Sequence, residues 1–246
     1  MVAGATAATV KVFLLAAGLG TRLRPLTDRV PKCLIEVEGM PLLGRWLTCC
    51  RQAGVDAAFV NTHHLVGQVV EYLGRLDAWV AVTVRHEDTL LGSAGTVCAN
   101  LDWVGSDRDF LVVYVDNYAA LDLTRVVVTH RRTRADLTMV VGPTEIPEQK
   151  GLVELSREGR VVAFAEKPRQ PVTNLMNCGI YVVSAAFARE VMAEIGERRP
   201  SDFGYDVLPG AVARGRVYAH RLGPGEFVTD IGTMEDYVRI FQRAPA

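Results

Sequence analysis

The mostly apolar run Lys11–Leu15, stopped by Gly18 and Gly20, constrains this chain more than any other stretch. A short run of that kind, without polar alternation, suits a strand buried on both faces of a parallel sheet. Glycines straight after it let the backbone turn sharply and let amide N–H groups approach an anion. A helix N-terminus behind them would add a favourable dipole. The loop Leu15-Ala16-Ala17-Gly18-Leu19-Gly20-Thr21-Arg22-Leu23 is therefore expected to join a buried strand to a helix and to hold phosphate.

The residues that follow repeat the pattern. Leu42 to Gln52 has helical spacing, and Gly54 stands where a helix would stop. Ala57–Val60 reads as a strand, Val66–Leu76 as a helix, Val80–Arg85 as a strand and Ala94–Leu101 as a helix. Phe110–Val115 is a solid apolar strand that ends at Asp116. Alternation of this kind predicts an α/β fold, a mostly parallel open sheet with helices on both faces. After about residue 142 the character changes. Leu152–Ser156 and Arg160–Phe164 flank Glu158-Gly159, a hairpin signal, and Ile180–Val183 is a further strand. Helices are expected over Ala185–Ile195 and Glu235–Arg243. With 246 residues, no linker and no repeat, one domain is the economical reading.

A net charge of −1 gives no footprint for nucleic acid or anionic lipid, so bound phosphate must be met by a few placed groups. Cys33, Cys49, Cys50, Cys98 and Cys178 show no metal-ligand spacing and read as reduced thiols of a cytoplasmic protein. The run Val12–Ala17 is too short for a signal peptide, and Arg22 and Arg24 follow it closely. No stretch reaches the roughly 18 apolar residues a bilayer crossing needs.

Two familiar loops are excluded by single residues. A dinucleotide fingerprint would want glycine at Leu23, and a Walker loop needs Gly-Lys-Ser/Thr, which is absent. The longer string from Leu15 to Thr27, with Pro31-Lys32 behind it, resembles the signature of the sugar-1-phosphate nucleotidyltransferases, of the mannose- and heptose-1-phosphate guanylyltransferase type. That resemblance implies a Rossmann-like sheet with a β-rich sugar-binding subregion. It divides the single domain into a nucleotide part (about 11–142), a sugar-phosphate part (about 143–230) and a closing helix (231–246). It further implies that Leu15, Ala16, Ala17, Gly18, Gly20 and Thr21 cradle a nucleoside triphosphate, with Arg22 and Lys32 as the catalytic cations on its phosphates. Positioned cations offset the charge that nucleotidyl transfer builds on phosphorus oxygens.

The same resemblance reaches Thr229-Asp230-Ile231-Gly232-Thr233, a C-terminal metal motif, and Asp116. Two carboxylates suit Mg²⁺, which keeps waters and completes its octahedron with substrate phosphates. Asp116 and Asp230 are the expected metal pair. The family often has glycine before the first Asp, where this chain has Val115. By resemblance, Glu166 and Lys167 read the sugar and its phosphate, Asn177 and Asn117 reach the sugar, and the backbone at Gly151 closes over it. His86 to Gly95 resembles a base-side loop of guanylyltransferases, with Glu87, Gly92, Ala94 and Gly95 in the nucleotide site and Glu87 or Asp88 as acceptors for guanine. GTP is favoured, and uridylyltransferases carry a similar loop.

Other features are read as structural. His63 and His64, being adjacent, point apart and lack a third ligand. Trp46, Trp79 and Trp103 are scattered, and Arg131-Arg132-Thr133-Arg134 reads as a solvated face. A glycosyltransferase would bring Asp-x-Asp to a strand end, where this chain has Asp116-Asn117-Tyr118; a silent nucleotide-sugar sensor would have lost a carboxylate or a lysine. Few residues follow Tyr237, so a stand-alone transferase without a C-terminal β-helix is expected. Its partners would be the two small substrates, with a homodimer left open.

Overall fold

The computed structural model describes residues 10–76, 80–195 and 200–243, so Trp79 lies outside the described residues. β1 (Val10–Leu15) leads into the glycine loop. The α-helix expected there is not formed. Three 3₁₀ turns take its place, at Thr21–Leu23, Leu26–Asp28 and Lys32–Leu34. The cause is Pro25: its ring pushes the preceding residue out of the helical region, and Arg24 sits at φ −64°, ψ 144°.

A two-residue ribbon of β2 (Glu36–Val37) and β3 (Met40–Pro41) precedes α1 (Leu42–Gln52), which runs over the residues its periodicity predicts. Then come β4 (Val55–Thr62), α2 (Val66–Gly74), β5 (Ala81–His86), α3 (Gly92–Ala99), β6 (Asp109–Tyr114), β7 (Asn117–Ala120), α4 (Leu123–Thr133) and β8 (Leu137–Pro143). The second half holds the hairpin β9 (Gly151–Leu155) and β10 (Val161–Glu166), then β11 (Leu175–Ser184) and α5 (Ala185–Ile195). A π-turn at Phe203–Val207 opens into α6 (Leu208–Arg214), followed by β12 (Val217–Arg221), β13 (Phe227–Asp230) and α7 (Met234–Arg243).

In the main sheet β6, β1, β4 and β5 are neighbours and parallel. β11 adds to β6 antiparallel, and its other edge pairs with β8, which carries β12 in parallel. The register of β11 slips between Asn177 and Tyr181, around Gly179 at φ +68°. Only glycine fits there, because a Cβ would meet the Tyr114 ring at 3.0 Å. Beyond this bend β11 pairs with β9 at Met176, so the hairpin β9–β10 hangs off the sheet beside the ends of β6 and β1.

Two cores lie on opposite faces, as the pleat requires. Val12 and Leu14 of β1, with Leu111 and Val113 of β6, face Trp46 of α1 and Val126 of α4. Phe13, Phe110 and Val112 face α3, α5 and α6 through Val97, Val191 and Ala211. On that side Phe13 stacks among Phe59, Phe110 and Trp103, with ring centroids 5.0 to 5.5 Å apart. Trp46 and Trp103 are thus core residues, their indole N–H groups donating to the Asn117 carbonyl (2.9 Å) and to Thr83 Oγ1 (3.2 Å). Burial pushes the Cys33 and Cys178 thiols up to about 12, which keeps them protonated and unreactive. Arg131 does not belong to a purely solvated face: its Nε is 3.7 Å from buried Asp109. Among the described residues no helix is long and apolar enough to cross a membrane.

Candidate active site

The glycine loop is shaped by its own chain. Gly20 has φ +63°, and a Cβ there would strike Thr27 Cγ2 at 2.7 Å and Lys32 Cβ at 3.3 Å. Thr27 Oγ1 donates to the Gly20 carbonyl (2.8 Å), and Asn61 at the end of β4 accepts from the Ala16 amide (2.7 Å). The loop is therefore folded back onto Lys32, which it holds in place. A Cβ at Gly18 would touch nothing. That glycine meets no demand of the fold and leaves the backbone bare toward a cavity of ≈ 230 Å³.

Leu15, Ala16, Ala17, Gly18, Lys32, Glu87 and Gly92 line this first cavity. A second, of ≈ 520 Å³, is lined by Arg22, Asn117, Gly151, Glu166, Lys167, Asn177 and Asp230. The two share Tyr114 and Asp116, at the carboxyl end of β6 where ligands of parallel sheets bind. Gly20 and Thr21 line neither. Ala94 and Gly95 turn away from the cavity, and their amides donate to the Ser201 carbonyl (3.0 and 3.1 Å).

A charge cluster occupies the junction of the cavities. Lys32, only 7% exposed, brings Nζ to 2.6 Å from Asp116 Oδ2 and 3.9 Å from Asp230 Oδ1. Lys150 Nζ donates to Asp230 Oδ2 at 3.1 Å. Asp116 and Asp230 are remote in sequence, and strand register joins them. β13 pairs with β7 so that Asp230 lies opposite Asn117, and the Ile231 amide donates to the Asp116 carbonyl (3.2 Å). Asp236 lies near but has another task. It caps α7 reciprocally with Thr233, with Thr233 N to Asp236 Oδ2 at 3.0 Å and Asp236 N to Thr233 Oγ1 at 3.2 Å.

The residues at this junction fit a divalent cation. Both carboxylates already lie against a single ammonium, so one small cation can satisfy both. Among the described residues no group of three or more His, Cys, Asp or Glu could hold a metal. Two carboxylates can serve Mg²⁺, which takes few protein ligands and completes its shell with phosphates and water.

In the wall of the first cavity, Glu87 is 5% exposed and its carboxylate is engaged. Oε1 accepts from Asn61 Nδ2 (2.9 Å) and Thr96 Oγ1 (2.6 Å), and Oε2 accepts from the Leu91 amide (3.2 Å). It braces Asn61, and through it the Ala16 amide, against the loop before α3. Asp88 is fully exposed, with the His86 ring at 3.6 Å. His63 and His64 bond different carbonyls, of Glu87 (2.6 Å) and Thr27 (2.8 Å).

On the other side, Glu166 ends β10 and sits over two glycines: a Cβ at Gly151 or Gly204 would come within 2.5 or 2.7 Å of its Oε2. Burial raises the Glu166 carboxyl above its ordinary range against the pull of Lys167 and Lys150, with Asp202 adding to the rise. Asn177 and Asn117 spend side-chain amides on the bend of β11, donating to Tyr181 OH (2.7 Å) and the Cys178 carbonyl (3.0 Å). Sequence reasoning missed Asp202, Ser93, Asn61 and the side chain of Lys150. Ser93 links the two cavities, its hydroxyl donating to Asp202 Oδ2 (2.7 Å) and accepting from the Phe203 amide (2.9 Å). Asp202-Phe203-Gly204 carries no motif in the sequence, and Lys150 enters only as part of the Lys150-Gly151-Leu152-Val153 segment, whose resemblance concerns its backbone.

The family model described as nucleotidyl transferase matches residues 11–245. Mannose-1-phosphate guanylyltransferase of Mycobacterium tuberculosis is 31% identical over 94% of this chain and 63% of its own length. UTP–glucose-1-phosphate uridylyltransferase of Synechocystis is 30% identical over 93% of this chain and 61% of its own. The chain thus spans less than two thirds of these relatives. A crystal structure of a candidate glucose-1-phosphate thymidylyltransferase from Bacillus anthracis, with sucrose bound, superposes with a TM-score of 0.84. It covers 95% of this chain and 94% of its own at 23% identity, and shares the fold.

Proposed function

This chain belongs to the nucleotidyl transferase family, and from that premise we propose that it transfers a nucleoside monophosphate from a triphosphate to a sugar 1-phosphate, releasing pyrophosphate. The observation that carries the reading is the meeting of Lys32, Asp116 and Asp230 at the junction of two cavities. Leu15–Gly18 and the first cavity take the triphosphate, with Gly20 and Thr21 forming the turn behind them and Glu87, Gly92, Ala94 and Gly95 shaping the base side. Gly151, Glu166, Lys167, Asn117 and Asn177 form the sugar-phosphate side. Residues of about 11–142 and 143–230 thus act as two halves of one cytoplasmic domain, closed by 231–246.

A sugar-phosphate oxygen attacks the α-phosphorus in line, opposite the departing pyrophosphate. Lys32 holds the triphosphate from the first cavity, Arg22 reaches its phosphates from the side of the second, both offset charge on its oxygens, and Lys167 holds the incoming phosphate. Asp116 and Asp230 would hold Mg²⁺, which when bound supplies a further positive centre for the reacting phosphates. No protein nucleophile is needed.

GTP and a mannose- or heptose-type sugar 1-phosphate are the favoured pair, supported by the likeness to the Mycobacterium tuberculosis enzyme. The likeness to the Synechocystis uridylyltransferase keeps a uridylyl reading beside it, with Glu87 already accepting three hydrogen bonds from the protein itself. Pyrophosphate release with a panel of triphosphates and sugar 1-phosphates decides. Turnover fastest with GTP is expected; release with no pair overturns the reading.

A further inference from the structure

Among the described residues, four cations line the two cavities: Arg22, Lys32, Lys150 and Lys167. Three have a place in the proposed reaction, and Lys150 has none. Its backbone is fixed at the base of the hairpin. The Lys150 amide donates to the Pro147 carbonyl (3.2 Å), and its own carbonyl accepts from the Lys167 amide (3.1 Å). The β9–β10 register then sets Gly151 opposite Glu166, so Lys150 and Lys167 stand side by side. The two side chains differ in burial, 20% exposed for Lys150 against 56% for Lys167. The Lys150 ammonium bonds Asp230 Oδ2 at 3.1 Å and also lies close enough to Glu166 to pull its titration down.

Charge counting gives this contact a consequence. Asp116 and Asp230 with Lys32 and Lys150 sum to zero. A divalent ion on the two carboxylates makes that group doubly positive and places a second cation on the carboxylate Lys150 already holds. Like charges at such range repel even where water screens them. Lys150 has a flexible four-carbon stem, so it can leave Asp230 for the nearest anion. In the second cavity that anion is the phosphate of the incoming sugar.

We propose that Lys150 is a further phosphate-binding cation of the sugar side, parked on Asp230 until a divalent ion takes that carboxylate. The inference rests on the metal reading of Asp116 and Asp230. Lys150 thereby holds the site against metal when phosphates are absent and adds a ligand to the sugar phosphate when metal is present.

The test uses the full chain with Mn²⁺ as the probe ion, followed by electron paramagnetic resonance without substrates. Lys150→Met should bind Mn²⁺ about tenfold more tightly than wild type, while Lys150→Arg should not. At saturating Mn²⁺, the sugar 1-phosphate that wild type holds best, mannose or glucose 1-phosphate, should bind Lys150→Met about tenfold more weakly and Lys150→Arg normally. Melting temperatures establish that both variants fold. Equal Mn²⁺ affinity in Lys150→Met and wild type overturns the parked state, and unchanged sugar-phosphate affinity overturns the phosphate contact. Asp230→Asn separates this inference from its premise. If that variant binds Mn²⁺ as wild type does, the metal reading itself falls. If it loses Mn²⁺ while Lys150→Met behaves as wild type, only the Lys150 inference falls.

Discussion

Replacing Glu87 with glutamine distinguishes a residue that braces the site from one that reads the base. The native carboxylate accepts three hydrogen bonds, two on Oε1 and one on Oε2. Glutamine keeps the shape but offers one oxygen and one NH₂. Turned one way, the NH₂ confronts the Leu91 amide; turned the other, it confronts Asn61 Nδ2. Either leaves a buried donor without an acceptor and costs about 1–3 kcal/mol. For a chain of this size that lowers the melting temperature by roughly 3–10 °C. Asn61 also holds the Ala16 amide at 2.7 Å, so the nucleotide loop loosens for every triphosphate alike. Differential scanning fluorimetry and KM values for GTP, UTP and dTTP measure both effects. A Glu87→Gln protein as stable as wild type that loses GTP selectively would refute this reasoning.

Two further outcomes follow from local geometry. Gly20→Ala forces a side chain to φ +63° and into Thr27 Cγ2 at 2.7 Å; a stability loss of about 1–3 kcal/mol in urea unfolding is expected, with weaker triphosphate binding because Lys32 shifts. Asp109 sets an acid limit. Burial pushes its carboxyl up, but the hydrogen bond and charge of His130 and the charges of Arg108 and Arg131 outweigh this and hold it below the ordinary value. A carboxyl lowered on folding contributes stability above its unfolded value and loses it as pH falls through the lowered one. Asp109→Asn should therefore flatten the loss of stability below about pH 4, and an acid limb identical to wild type in thermal melts contradicts it.

Much of this architecture is legible in the sequence because local chemistry and tertiary context agree. Leu42–Gln52 has a clear apolar stripe, and the helix forms over those residues. Asp116 follows an unbroken apolar run and lands at the carboxyl end of a central strand. Failures came where one residue outweighed a pattern or where distance along the chain mattered. A helix after Gly20 fits the loop's length and dipole logic, but Pro25 forbids it. The meeting of Asp116 with Asp230 depends on the register of a four-residue ribbon, which resemblance supplied and periodicity could not. Nor does the sequence show that Glu87, an acceptor candidate for the base, already takes hydrogen bonds from Asn61, Thr96 and Leu91. The side chain of Lys150 is silent in the sequence for the converse reason. A lysine before a glycine in a loop is usually solvated, and only the fold sets it on Asp230.

Asp116 and Asp230 stand around Lys32, 2.6 and 3.9 Å from its ammonium, at the junction of the two cavities. Asn at either position keeps the size and removes the charge that would hold a divalent cation. Pyrophosphate release by wild type, Asp116→Asn, Asp230→Asn and the double variant, at saturating triphosphate, sugar 1-phosphate and Mg²⁺, tests them directly. Each single variant should lose at least about a hundredfold in turnover while melting as a folded protein. A folded double variant that releases pyrophosphate at the wild-type rate would contradict the account.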